Sequence, residues 1–204
     1  MNICYLVGAG DFIGSFKPGE TDLVIAADGG FDSLKRLGIR CDLLVGDCDS
    51  IENIPEKIAL IRHPERKDET DMYLAYIEGL RRGYTSFMIF GATGGREDHT
   101  FANYCLLTQI VADGHKCVMK SDTGWLYAVK NGKIHLKKHT VGKRVSVFAF
   151  GGVANGVSII GGEYEGENLT LTPSFPLGVS NAVKCSEGIT IGVLDGLLLI
   201  MAEE

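Results

Sequence analysis

No C-x-x-C pair occurs among the six cysteines of this chain, Cys4, Cys41, Cys48, Cys105, Cys117 and Cys185. Their scatter argues against a zinc site and a disulfide framework, and ordinary reduced thiols are expected. The amino terminus enters Ile3-Cys4-Tyr5-Leu6-Val7 without the positive region and long apolar segment of a signal peptide, and no apolar run approaches transmembrane length. A soluble cytoplasmic protein with no membrane partner is the expectation. Positive charge is in deficit, 20 Lys and Arg against 26 Asp and Glu, and the resulting charge of -6 gives no support for a nucleic-acid partner. Both G-x-x-x-x-G-K-[ST] and G-x-G-x-x-G are missing, so neither a P-loop nor the dinucleotide fingerprint is present. No internal repeat is visible.

Apolar residues are plentiful, at 45%, which argues against disorder. Ile3 to Val7 reads as a first strand closed by the turn Gly8-Ala9-Gly10-Asp11, and Asp22 to Ala27 as a second ending at Asp28-Gly29-Gly30. Phe31, Leu34 and Leu37 follow at helical spacing. Asp42 to Val45 is a third strand, ending in Gly46-Asp47-Cys48-Asp49-Ser50, and Ile58 to Ile61 a short fourth. Lys67-Asp68-Glu69-Thr70-Asp71 then precedes Met72, Tyr73, Tyr76, Ile77 and Leu80, an apolar pattern suited to a helix against a sheet. Asp68 can cap its first turn, and Asp71 lies on nearly the same helical face, so the pair either serves the helix start or joins a ligand site. Thr85 to Phe90 is a strand entering the turn Gly91 to Gly95, whose glycines let backbone approach a bulky ligand while Arg96 offers a fork of donors to phosphate. Asp98 opens the helix beyond, whose expected apolar face is Phe101, Leu106, Leu107 and Ile110.

Strands ending near Asp28, Asp47 and Asp49, Asp68 and Asp71, and Arg96 and Asp98 bring distant segments together, because open parallel sheets build sites at the carboxyl ends of their strands. Carboxylates clustered there repel one another unless a cation or a change of protonation compensates. Mg2+ is the simplest compensation, since it prefers hard oxygen ligands and can hold phosphate oxygens as well.

Beyond Ser121-Asp122-Thr123-Gly124 the pattern changes to closely spaced short strands: Trp125 to Val129, Lys133 to Leu136, Arg144 to Phe148, Asn168 to Leu171, Ile189 to Val193 and Leu197 to Met201. The glycine-rich stretch from Gly151 to Gly156 reads as a hairpin connection. The expected fold is therefore α/β: a mostly parallel sheet with flanking helices over residues 1–123, followed by a small β-rich domain over 124–204.

Taken together, Ala27-Asp28-Gly29-Gly30, Gly46-Asp47-Cys48-Asp49-Ser50, Lys67-Asp68-Glu69-Thr70-Asp71, Gly94-Gly95-Arg96-Glu97-Asp98-His99-Thr100-Phe101-Ala102-Asn103 and Gly178-Val179-Ser180-Asn181 resemble the ordered motifs of the thiamin pyrophosphokinase family. The resemblance implies a nucleotide-binding catalytic α/β domain, a β-sandwich for acceptor binding and dimerisation, and a homodimer with substrate sites near the subunit interface. It implicates Asp47, Asp49 and Asp71 in the metal and phosphate environment, with Asp28 at a neighbouring strand tip. Arg96 and Asp98 would belong to the nucleotide side, supported by Asn103, and Ser180 and Asn181 to the acceptor. The family often carries a bulky aromatic side chain two positions after this asparagine, where it can stack on thiamin, and here Val183 stands in its place. Tyr164 and Trp125 are the rings that would either compensate or pack the β core.

The implied activity is transfer of diphosphate from ATP to the thiamin hydroxyl, giving thiamin diphosphate and AMP, with Asp71 either orienting the hydroxyl and taking its proton or ligating Mg2+. The alternatives are a pyrophosphokinase or phosphohydrolase acting on another small acceptor, and a non-catalytic sensor of nucleotide or thiamin diphosphate.

Overall fold

Strands of four or five apolar residues, buried along nearly their whole length, build the amino-terminal part of the chain: β1 (Cys4–Val7), β2 (Leu23–Ala27), β3 (Leu43–Gly46) and β5 (Ser86–Phe90). Such runs suit a parallel sheet covered on both faces. The computed structural model describes residues 2–12, 14–47, 58–63, 68–137 and 141–204. With β4 (Ala59–Arg62) and β6 (Lys116–Lys120), these strands form a parallel array in the order β6-β5-β1-β2-β3-β4. The chain first moves outward from β1 to β4, then returns to the other side of β1 as β5. A crevice between β1 and β5, at the carboxyl ends of the strands, follows from that reversal.

The crossovers differ in kind. Helix α1 (Gly30–Leu37) joins β2 to β3 and stops at Gly38, whose left-handed backbone (φ 65°) returns its N–H to the Leu34 and Lys35 carbonyls. Helix α2 (Asp71–Arg81) precedes β5. Its N-cap is Thr70, whose hydroxyl accepts the Tyr73 N–H at 3.2 Å, so the capping role expected of Asp68 falls to a residue two positions later. Between β1 and β2 the chain crosses on packed rings: Phe16 stacks on Tyr5 with centroids 4.2 Å apart and on Phe90 at 4.7 Å. Arg40 fastens the far end of this strap, donating to the carbonyls of Pro18, Gly19 and Asp22.

Near the carboxyl end of α2, Glu78 is buried between Arg81 and Arg82. Burial raises its carboxyl pKa, but hydrogen bonds from Arg82 and Arg81 outweigh burial and hold it below the ordinary value. A depressed carboxyl stabilises the fold above its unfolded pKa, and that contribution is lost as pH falls through the folded pKa. Glu78→Gln should therefore flatten part of the acid limb of a melting-temperature profile below about pH 4.3 and cost roughly 2 kcal/mol at neutral pH. An unchanged acid limb contradicts this.

The chain divides into two compact units, one comprising residues up to Leu106 with His115–Asp122, the other Leu107–Gly114 with Thr123–Glu204; the division passes through α3 (Glu97–Ala112). In the second unit all strand pairing is antiparallel. Four of the six segments expected as short strands merge in pairs into two long ones, β7 (Gly124–Leu136) and β12 (Ile189–Glu203), which pair along nearly their full length. Their register breaks between Val193 and Leu197, where Asn131 Oδ1 accepts the Gly196 N–H at 2.9 Å. Before this break β12 pairs with β9 (Ala154–Ile160), itself paired with β10 (Gly166–Leu171). After it β12 pairs with β8 (Arg144–Ala149), which pairs with β11 (Gly178–Ala182). The two halves of β12 thus take different partners, and Val145, Val147, Ile159, Ile191 and Ile200 from both groups of strands meet in one core. The expected hairpin glycines only partly form a connection, since β9 already begins at Ala154.

Candidate active site

At the carboxyl ends of β1 and β5 two backbone segments interlock. The N–H groups of Gly8, Gly10 and Asp11 donate to the carbonyls of Phe90, Gly91 and Thr93 at 2.9, 2.8 and 2.8 Å. A Cβ at Gly10 would collide with the Thr93 and Gly91 carbonyls, and Gly91, Gly94 and Gly95 hold positive φ of 59°, 79° and 64°. Glycine is required here by close approach and by handedness. Asn103, buried on α3, donates its amide to the Ala92 carbonyl at 2.8 Å, which ties the glycine turn to the helix it feeds.

Two cavities open on this junction. One, of about 320 Å3, is lined by Asp28, Asp47, Asp68, Glu69 and Asp71 together with the start of α2. Asp28 occupies the left-handed region (φ 45°) at the tip of β2, a strained setting of the kind found at functional sites. Asp71 is the first residue of α2, where the helix dipole favours its charge. The other cavity, of about 330 Å3, is lined by the glycines of both loops and by Arg96. Gly8, Ala9, Met72, His99 and Asn103 line both.

Arg96 meets Asp98 in a bidentate pair, Nε to Oδ1 at 3.1 Å and Nη2 to Oδ2 at 2.7 Å, fully at the surface. Each holds the other in its charged form: Asp98 raises the guanidinium pKa, and Arg96 lowers that of the carboxyl. Asp98 Oδ1 also accepts the His99 N–H at 2.9 Å. The pair orients the fork and leaves three of its five N–H groups for an anionic ligand.

Asp28, Asp47 and Asp71 thus come together, with Asn103 behind them and Arg96 on the adjoining cavity. Asp49 lies outside the described residues. Among the described residues no group of three His, Cys, Asp or Glu side chains is arranged to hold a metal by itself. Five carboxylates around one cavity nonetheless form a hard-oxygen donor set. That combination fits Mg2+, which is commonly held by one or two carboxylates with substrate phosphates completing its shell.

Ser180 and Asn181 lie on β11 in the second unit. Ser180 is exposed and left-handed (φ 59°), its N–H donating to Ser146 Oγ at 3.1 Å. Asn181 is buried, and its amide is committed to backbone: Oδ1 accepts from Tyr164 N at 3.0 Å, and Nδ2 donates to Tyr164 O at 2.6 Å. This clasp presents the Tyr164 ring, 70% exposed, on a cavity of about 300 Å3 also lined by Leu177 and Val179. Val183 is 1% exposed and packs in the β core, so its side chain is turned away from any acceptor at the surface. Asp68 lines the acidic cavity, the second of the two alternatives its sequence position left open, and Glu69 and His99 line the first unit's cavities without having been assigned from sequence. His99 could have been found, because His99, Ala102 and Asn103 share a helical face at i, i+3 and i+4.

The family models described as thiamin pyrophosphokinase, catalytic domain, and thiamin pyrophosphokinase, vitamin B1 binding domain, match residues 19–119 and 131–198. A thiamine pyrophosphokinase of Bacillus subtilis is 29% identical over 188 residues, covering 89% of this chain and 87% of the relative. A crystal structure of thiamine pyrophosphokinase from Bacillus subtilis superposes with a TM-score of 0.86 at 23% identity, covering 100% of this chain and 99% of that one. A thiamin pyrophosphokinase family protein from Enterococcus faecalis gives 0.86 at 21% identity, with the same coverages. At these identities the structural likeness concerns the fold.

Proposed function

Because the chain belongs to the thiamin pyrophosphokinase family, we propose that it transfers diphosphate from ATP to the hydroxyl of thiamin, giving thiamin diphosphate and AMP. The observation that carries this reading is the meeting of Asp28, Asp47 and Asp71 with an interlocked glycine turn and Arg96 where the sheet order reverses. The thiamin oxygen attacks the β-phosphorus, the bond from that phosphorus to the oxygen bridging it to the α-phosphorus breaks, and AMP leaves with that oxygen. The hydroxyl proton passes to the Asp71 carboxylate. Arg96 and the glycine-turn N–H groups bind phosphate oxygens, Asp28 completes the acidic wall, and Asn103 keeps the turn in place. Asp98 acts through Arg96 by fixing its fork. When bound, Mg2+ would offset phosphate charge, with Asp47 and Asp49 to hold it; Asp71 would join them only in the alternative in which it ligates the metal instead of taking the proton.

On the acceptor side, Asn181 is a positioning residue for Tyr164, whose ring takes the stacking role that Val183 cannot fill, with Ser180 exposed on the same strand. Tyr164→Ala should raise the KM for thiamin roughly tenfold, consistent with the loss of one aromatic face, and leave the KM for ATP within twofold. An unchanged thiamin KM contradicts the assignment. A homodimer completes the reading, supported by the exposed apolar residues Tyr164, Phe175, Leu177 and Val179; a light-scattering mass of one chain for the active protein contradicts it. A cytoplasmic setting is consistent with the free cysteines Cys4, Cys41, Cys117 and Cys185, and no described helix is long and apolar enough to cross a membrane.

AMP release from ATP and Mg2+ with and without thiamin tests the activity: AMP should require thiamin. A second reading, transfer to another small acceptor, is favoured by the burial of Val183 alone, and AMP formed only with a different alcohol would establish it.

A further inference from the structure

The acidic cavity and the Arg96 cavity adjoin along Gly8, Ala9, Met72, His99 and Asn103. A phosphoryl chain extending from one to the other must pass this shared wall. Glycine, alanine and methionine offer no side-chain donor, and one N–H of the Asn103 amide is spent on the Ala92 carbonyl at 2.8 Å, which holds that buried side chain against the turn. His99 is the one of these five whose side-chain donor group is solvent-exposed and takes no part in holding the turn. Its backbone is fixed, since it stands in the first turn of α3 with its N–H on Asp98 Oδ1, and Asn103, four residues later, pins the same helix to the glycine turn. The imidazole itself is exposed, as a group that meets a soluble ligand must be. Because neutral imidazole and imidazolium both carry at least one N–H, this contact needs no particular protonation state.

We propose that His99 donates a hydrogen bond to the phosphoryl chain where the two cavities meet, holding the β-phosphorus between the acidic wall and Arg96. This rests on the diphosphate-transfer reading. It adds a substrate-contacting residue whose donor spans both cavities.

The test compares full-length wild type, His99→Ala and His99→Gln in thiamin-dependent AMP formation, with ATP affinity measured separately by calorimetry. Because His99 is exposed, all three should melt at similar temperatures. His99→Ala should lower kcat on the order of 100-fold, comparable to removing one donor to developing charge, with the thiamin KM within twofold. His99→Gln, which restores an N–H at similar reach, should recover kcat to within roughly tenfold of wild type. An alanine variant within threefold of wild type, or equal losses in both variants, overturns the donor role. If wild type forms no thiamin-dependent AMP, the activity reading fails on its own, and ATP affinity then decides the inference. Weakened binding in His99→Ala that His99→Gln restores supports the donor, and equal binding in all three overturns it.

Discussion

Asp71→Asn is expected to lower thiamin-dependent AMP formation by at least roughly 100-fold while leaving the fold intact. The substitution nearly preserves volume but removes a full negative charge, and an amide cannot accept the hydroxyl proton. Asp71 is the first residue of α2 and lines the acidic cavity, whereas the N-cap bond is made by Thr70. The charge–dipole interaction that the helix loses is about 0.3–1 kcal/mol, small against the stability of a domain of this size. Circular dichroism and melting should accompany the assay. Near-normal turnover of the folded variant across a Mg2+ titration would exclude an essential role for Asp71 and move the acidic function to Asp47, Asp49 or Asp98.

Arg96→Met should reduce kcat by about 10²–10³-fold, because it removes both the charge and the planar fork at the second cavity. Arg96→Lys restores charge without the fork and should recover only part of the loss. The Arg96–Asp98 pair is fully solvent-exposed, so breaking it should hardly change the melting temperature. A methionine variant with unaltered kcat, or one whose entire loss is accounted for by a lower melting temperature, contradicts the phosphate-binding role.

The parallel sheet was legible because each central strand is a short apolar run, as Cys4–Val7 and Leu43–Gly46 show, and its strand ends carry their carboxylates in adjacent sequence. The strap between β1 and β2 was not, since the spacing of Phe12 and Phe16 suits a helix and a strand face equally and their order comes from ring packing against Tyr5 and Phe90. Capping chemistry alone could not choose Thr70 over Asp68, because both side chains can accept an N–H and only the backbone conformation decides. In the second half, Trp125 to Val129 and Lys133 to Leu136 read as two strands, because the interruption at Asn131 resembles a turn, yet β7 continues through it. Val183 was the least readable position. A one-residue difference in strand register decides whether its side chain faces the core or a ligand, and the bulge between Gly178 and Asn181 sets that register. Asn181 likewise matched an acceptor motif by sequence while its amide is occupied by the Tyr164 backbone, a contact across 17 positions.

Mass-resolved product analysis with ATP carrying heavy oxygen at the α,β-bridge, Mg2+ and thiamin tests diphosphate transfer at this site most directly. The expected result is thiamin diphosphate and AMP in equal amounts, with the heavy oxygen retained in AMP and both products strongly diminished in Asp71→Asn. ADP, thiamin monophosphate, AMP lacking the label, or AMP formed equally without thiamin would contradict it.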